Sequence, residues 1–213
     1  MQKATENHKT YSVMPGINAG MLSLEDLEKL TDLVRRHEIP MTKVTGAQRI
    51  SFLGLEPDRL EALKKELDIP AALPHTRNKV HYVQACPGSR WCKYGTGDSL
   101  AMGEVIGKLE LIGPLPYKVK VGISGCRMCC CESWVRDVGL IADKNGWRLI
   151  FGGNAAGRPR IGDLVAKGLS DDEAVALVEK TLNFYIKKAK SKTRSARFME
   201  RFGIDALKKG LLG

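Results

Sequence analysis

The 213-residue sequence contains no apolar run approaching the ~18 residues that a membrane-spanning helix needs. Its opening stretch, Met1 to Thr10, is polar and lacks the apolar centre of a secretory signal. Both absences point to the cytoplasm, where thiols stay reduced, and away from a membrane. Aromatic residues are scarce at 6%, and there are only four histidines. His81 alone lies near a motif, and on a strand it reads as a core or surface residue. The glycine-rich stretch Gly152-Gly153-Asn154-Ala155-Ala156-Gly157 lacks the Lys-Ser/Thr ending of a phosphate-binding P-loop. Acids are outnumbered as well: 24 Asp and Glu face 34 Lys and Arg, for a formal charge of +10. Taken alone, that surplus points to a polyanion such as nucleic acid, or to a bound anionic cofactor.

Six cysteines are present, and in a reducing compartment they point to metal or redox chemistry rather than structural disulfides. Cys86 and Cys92 stand in a C-x5-C spacing, and Cys126 is followed by the run Cys129-Cys130-Cys131. A cubane iron–sulfur cluster needs four thiolates converging from flexible loops, which Pro87, Gly88 and Gly125 permit. Zinc also takes four cysteines, but its pairs are usually spaced by two to four residues, so the x5 pair counts against it. A thioredoxin-like pair at Cys126 and Cys129 would leave Cys86 and Cys92 without a purpose. Buried structural thiols are the remaining alternative. Spacing therefore favours a cluster on Cys86, Cys92, Cys126 and one member of the 129–131 run, without choosing which.

Hydrophobic periodicity divides the chain. Tyr11 to Val13 predicts a short strand, and Ser23 caps a helix with Leu24, Leu27, Leu30, Leu33 and Val34 at helical spacing. Met41 to Leu53 reads as extended with a bend at Gly46, and Pro57 opens a second helix through Leu60, Leu63 and Leu67. This strand–helix–strand–helix pattern suggests a ferredoxin-like sandwich, ended by a proline-flanked linker over 69–74. Beyond it, Val80 to Gln84 predicts a strand, and Asp98 or Ser99 caps a helix to about Leu111. Tyr117 to Ser124 alternates, with Val119, Val121 and Ile123 on one face and Lys118, Lys120 and Gly122 on the other. Val138–Ala142 and Trp147–Phe151 flank a hairpin. Ser170 and Glu173 form a capping box before a long helix to about Lys190, and a last short helix follows. The basic run Lys187 to Arg197 reads as a solvated helix end, with docking of an acidic electron donor as its functional alternative.

Ala85-Cys86-Pro87-Gly88-Ser89-Arg90-Trp91-Cys92-Lys93-Tyr94-Gly95, together with Lys118-Val119-Lys120-Val121-Gly122-Ile123-Ser124-Gly125-Cys126-x3-Cys130, resembles the sulfite and nitrite reductases that carry siroheme and a [4Fe-4S] cluster. Asp137-Val138-Gly139-Leu140 and Gly152-Gly153-Asn154 fit the same pattern, and Lys43-Val44-Thr45-Gly46-Ala47-Gln48-Arg49 resembles the end of that family's ferredoxin-like half-domain. The resemblance covers nearly the whole chain, and its size is similar to the small assimilatory-type sulfite reductases. It implies an α+β fold: a ferredoxin-like half-domain over 1–74, then an α/β siroheme and iron–sulfur domain over 75–213.

It further implies Cys86, Cys92, Cys126 and Cys130 as cluster ligands, with Cys130 also bridging to the siroheme iron. Lys118 and Lys120, joined by Arg49, become candidates for binding an anionic substrate and supplying protons. Arg90, Lys93, Lys43, Arg127, Arg136, Asn154, Arg158 and Arg160 become candidates for contact with the cofactor. The family commonly has Pro-Asn after the third cysteine where this chain has Arg127-Met128, so Arg127 is the candidate to take over that contact. A family arginine corresponds to Ala47 here, with Arg49 two residues on as its replacement. The implied activity is six-electron reduction of sulfite to sulfide, with nitrite reduction to ammonia, or a non-catalytic electron-transfer role, as alternatives. The implied partner is a donor such as a ferredoxin or cytochrome. The cofactor's carboxylates would absorb the positive surplus, so the charge loses most of its force as a nucleic-acid signal, and no nucleic-acid partner is expected.

Overall fold

The computed structural model describes residues 11–15, 17–69 and 76–212. The polar 1–10 segment and, apart from Ile69, the expected linker over 69–74 lie outside them. Two units divide the chain, Met1–Leu73 and Pro74–Gly213.

In the first unit, helix α1 (Leu24–Arg36) starts where Ser23 and Asp26 satisfy each other's backbone. The Asp26 N–H donates to Ser23 Oγ at 3.1 Å, and the Ser23 N–H donates to the Asp26 carboxylate at 2.9 Å. Strands β1 (Tyr11–Val13), β2 (Met41–Val44) and β3 (Ile50–Leu53) form an antiparallel sheet in the order β1-β3-β2. The single extended stretch expected over 41–53 is thus a hairpin, pairing Met41 with Leu53 and Val44 with Ile50. Thr45 makes the reversal: its Oγ1 accepts from the N–H groups of Ala47 and Arg49, at 3.3 and 3.2 Å, and Gln48 takes the left-handed conformation at φ 55°. Helix α2 (Pro57–Glu66) begins on its proline. Central β3 is buried and edge β2 exposed, and Leu33, Phe52, Leu55 and Leu63 centre the core.

The second unit is a five-stranded sheet in the order β4-β5-β6-β7-β8. Its strands are β4 (Tyr82–Ala85), β5 (Lys120–Ser124), β6 (Val138–Asp143), β7 (Gly146–Phe151) and β8 (Asp163–Leu169). The first three run parallel and the last three antiparallel. The short α3 (Gly88–Trp91) and α4 (Ser99–Lys108) connect β4 to β5. Helix α5 (Asp171–Lys188) starts on the Ser170–Glu173 capping box and buries Leu177, Val178, Leu182 and Tyr185. A parallel strand needs cover on both faces. Val119, Val121 and Ile123 are accordingly fully buried, but Gly122 on the opposite face is buried too. A Cβ there would lie 2.6 Å from the Cys131 carbonyl, so the chain after the cysteines roofs what alternation marked as an open lysine face.

Two further features escaped the sequence pattern. Strand β8 pairs with β7 through irregular register between Trp147 and Ile150, which breaks the two-residue period. The C-terminus forms two helices, α6 (Ser195–Phe202) and α7 (Ile204–Leu212), where one was expected; Gly203, at φ 82°, divides them.

Leu140, fully buried on central β6, is closely packed in this core. Leu140→Ala is expected to lower unfolding free energy by about 2–5 kcal/mol. Urea denaturation followed by tryptophan fluorescence checks this, with buried Trp147 as reporter.

Candidate functional site

Parallel strands present ligand sites at their carboxyl ends. Here the residue following β4 is Cys86, and Gly125-Cys126 follows β5. The strands are hydrogen-bonded neighbours, so sheet registry itself sets the two cysteine loops side by side. One turn of α3 returns the chain for Cys92, whose N–H donates to the Gly88 carbonyl at 2.9 Å. The loops then touch backbone to backbone. A Cβ on Gly125 would stand 2.7 Å from Gly88 Cα, and one on Gly88, at φ 65°, would stand 2.5 Å from Ser99 Oγ. Neither position has room for a side chain. The N–H groups of Thr96 and Gly97 both donate to the Gly125 carbonyl, at 2.7 and 3.0 Å. The Gly125 N–H donates to Cys86 Sγ at 3.1 Å, and Ser99 Oγ lies 3.3 Å from the same sulfur.

The run 129–131 separates its three thiols. Cys129 and Glu132 adopt left-handed conformations, at φ 56° and 54°. This winds the segment so that Cys129 is half-buried, Cys130 exposed and Cys131 buried. Cys131 turns inward: its N–H donates to Ser124 Oγ at 3.2 Å, and its thiol hydrogen-bonds Cys86. That bond is the main reason the Cys86 thiol is held down at about 5, against the opposing effect of burial and with help from Ser99 and the Gly125 and Gly88 N–H groups. Cys131 is pushed up correspondingly. Cys130 is pushed up by burial first, then by the charges of Cys86, Cys126 and Cys92. The four expected ligands are thus electrostatic neighbours. Among the described residues, no three His, Cys, Asp or Glu side chains converge on one ion. A tetrahedral zinc site would need sulfurs only about 3.8 Å apart around Zn–S bonds of ~2.3 Å, whereas a cubane gives each cysteine its own iron. The donor set of four thiols fits the cluster.

The expected cationic residues fall into three groups. Arg90, Lys93, Arg127 and Arg158 are exposed. Arg90 Nε lies 2.9 Å from Asp98, Lys93 Nζ lies 4.9 Å from the Tyr94 ring centroid, and Arg158 is 3.6 Å from Glu200. Of these, Arg90, Lys93 and Arg127 stand within or next to the cysteine loops in sequence, and such groups suit carboxylates. Arg136, Arg160 and Asn154 are engaged within the fold. Arg136 donates to Glu132 at 2.7 Å and to the Tyr82 hydroxyl at 3.3 Å; Arg160 donates to Asp163 at 2.6 Å. Buried Asn154 donates to the Arg158 carbonyl at 2.7 Å and bridges Arg160 through its backbone. Arg49 and Lys43 lie in the first unit, half-buried after the hairpin turn and exposed on β2 respectively.

Lys118 and Lys120 are half-buried, Lys120 as the first residue of β5 and Lys118 two residues before it. The Lys120 N–H donates to Asp137 Oδ2 at 3.0 Å, and its ammonium lies 5.9 Å from the Tyr82 ring centroid. Asp137 is fully buried; Ser195 donates to its Oδ1 and Arg194 to its Oδ2, the latter at 3.3 Å. The solvated helix end expected over Lys187 to Arg197 is therefore corrected in part. Helix α5 stops at Lys188, and Arg194 and Ser195 turn into the fold. Only the small pair Ser195-Ala196, unusual within a basic run, hints at this in the sequence.

Residues 76–212 match the nitrite and sulphite reductase 4Fe-4S domain, and residues 3–68 match the nitrite/sulfite reductase ferredoxin-like half domain. An assimilatory-type sulfite reductase of Nitratidesulfovibrio vulgaris is 41% identical over 206 residues, covering 96% of this chain and 93% of that protein. An NAD(P)H nitrite reductase of Bacillus subtilis is 34% identical over 196 residues, 92% of this chain but 24% of that longer protein. In fold, dissimilatory sulfite reductase I aligns with a TM-score of 0.76 at 15% identity, over 94% of this chain and 68% of that one. NirA of Mycobacterium tuberculosis aligns at 0.70 and 22%, over 92% of this chain and 38% of that one. These matches take in both units and the two cysteine loops, and the chain belongs to the nitrite and sulphite reductase family, whose cofactors are siroheme and a [4Fe-4S] cluster.

Proposed function

We propose that the chain is a sulfite reductase that converts sulfite to sulfide. The observation that carries this reading is that the cysteine loops following β4 and β5 lie side by side, with Cys130 within electrostatic reach of Cys86, Cys126 and Cys92. Cys86, Cys92, Cys126 and Cys130 would hold the [4Fe-4S] cluster. Exposure favours Cys130 over its neighbours as the thiolate shared with a second group, since Cys131 is buried and engaged with Cys86. Bound here, siroheme and the cluster supply one-electron transfer and an iron for the substrate.

The chain's own residues handle charge and protons. Sulfite is an oxyanion, and each oxygen it loses leaves as water, which requires protons. Lys118 and Lys120 would attract the anion and pass protons to it. Arg90, Lys93, Arg127 and Arg158 would pair with siroheme carboxylates. Arg136, Arg160 and Asn154 would act by shaping the loops around that group. Lys43 and Arg49 enter this proposal from the resemblance, as the first unit's cationic candidates for cofactor and substrate. Electrons would come from a small donor protein such as a ferredoxin or cytochrome. None of the described helices is long and apolar enough to cross a membrane, which accords with a cytoplasmic enzyme.

Nitrite reduction is the second reading, favoured by the 34% identity to a nitrite reductase. Sulfite takes precedence because the sulfite reductase relative is matched along nearly its full length.

The purified protein is expected to show haem-type absorption bands and to turn over sulfite faster than nitrite with a reduced dye; a spectrum without those bands overturns the reading. Lys118→Ala is expected to lower sulfite turnover by about 10²-fold or more at unchanged haem absorbance. Iron and acid-labile sulfide should be lost from Cys92→Ala and retained in Cys131→Ala, as read by colorimetric iron and sulfide assays.

A further inference from the structure

Arg194 stands just before α6 with its side chain about four-fifths buried, a costly place for a cation. Its Nε has no hydrogen-bond partner among the described residues. Its guanidinium reaches Asp137 Oδ2, the oxygen that also accepts the Lys120 N–H. One buried carboxylate thus ties the C-terminal segment to the start of β5, and Ser195 holds the other oxygen. Against Lys120 stand the cations Lys118, Arg136 and Arg194, the carboxylate Asp137, and the Tyr82 ring. Arg136 is already matched by Glu132. Asp137 is shared between its donors, so the lysine pair and Arg194 outnumber the anions that face them. Burial first, and Arg194 next, push the Lys120 ammonium below the ordinary lysine range.

We propose that Arg194 is a positioning residue for Lys120: pinned on the same Asp137 oxygen that accepts the Lys120 N–H, its guanidinium is a fixed cation beside that lysine, and a small oxyanion completes the charge balance of the cluster they form with Lys118. This rests on the sulfite reading and adds to it a residue from the C-terminal segment. The same repulsion eases proton release from Lys120, because a neighbouring cation destabilises the charged form.

Competitive acylation of the full chain as purified, read lysine by lysine by mass spectrometry across pH, tests this. Exposed Lys144 is the internal reference. In the wild type, Lys120 should label at lower pH than Lys144. Arg194→Gln removes a like charge, so the Lys120 midpoint should rise measurably relative to that of Lys144. Arg194→Lys should restore it, and Arg201→Gln, on the exposed side of α6, should leave it unchanged. Arg194→Met carries the same expectation should Arg194→Gln not fold. With sulfite, Arg194→Gln should raise KM several-fold more than it lowers kcat, and the alkaline limb of the rate profile should move to higher pH. An unmoved Lys120 midpoint in a folded neutral variant overturns the proposal, whatever the turnover. A shifted midpoint supports the coupling even if the wild type fails to reduce sulfite, an outcome that overturns only the sulfite reading.

Discussion

The contact between Gly88 and Gly125 is the constraint on which the site depends. No side chain fits between these two backbones, and the loops that carry Cys86, Cys92 and Cys126 approach each other only because none is there. The approach is then secured by amides: Gly125 accepts from Thr96 and Gly97 and donates to the Cys86 sulfur. A thiolate that receives backbone N–H donors is stabilised where it stands. The ligand loops therefore owe their geometry to the sheet beneath them and to each other.

A second organising element is the buried carboxylate of Asp137. Burial raises its proton affinity, and Arg194, Ser195 and the Lys120 N–H act against that. An ion this deep is tolerated only when hydrogen bonds reach both of its oxygens, as they do here. Satisfying it draws in the chain beyond α5, so a basic segment remote in sequence comes to face the lysines before the cysteine loop. Positive charge that looked like surplus in the composition is concentrated in this way at the amino end of β5, where an anion would offset it.

Cys131 illustrates how neighbours in sequence part ways in space. Cys129, Cys130 and Cys131 are chemically identical and consecutive, and spacing alone left them equivalent. Two left-handed residues, Cys129 and Glu132, wind the backbone so that one thiol faces out and the next faces Cys86. The inward thiol then serves as a hydrogen-bond partner of an expected ligand.

Local chemistry was legible in the sequence wherever the partner lies a few residues away. The capping boxes at Ser23 and Ser170 and the proline start of α2 depend on such neighbours, and all are present in the fold. The cysteine spacings, read with the family resemblance, named the donors of one site. What remained hidden depends on contacts across long separations. The 41–53 stretch looked extended with a bend because the pairing of Met41 with Leu53 and Val44 with Ile50 joins residues on either side of the turn. Strand β8 was missed because its irregular register erases the alternation by which strands are recognised. Arg194 looked solvent-exposed because its counter-ion, Asp137, is 57 residues earlier in the chain. The sequence by itself determined which groups are available and how each segment folds locally, since those depend on short-range sterics and hydrogen bonds. Only the tertiary structure decided which thiol faces out and which cation faces Lys120, because both are set by what the sheet brings together.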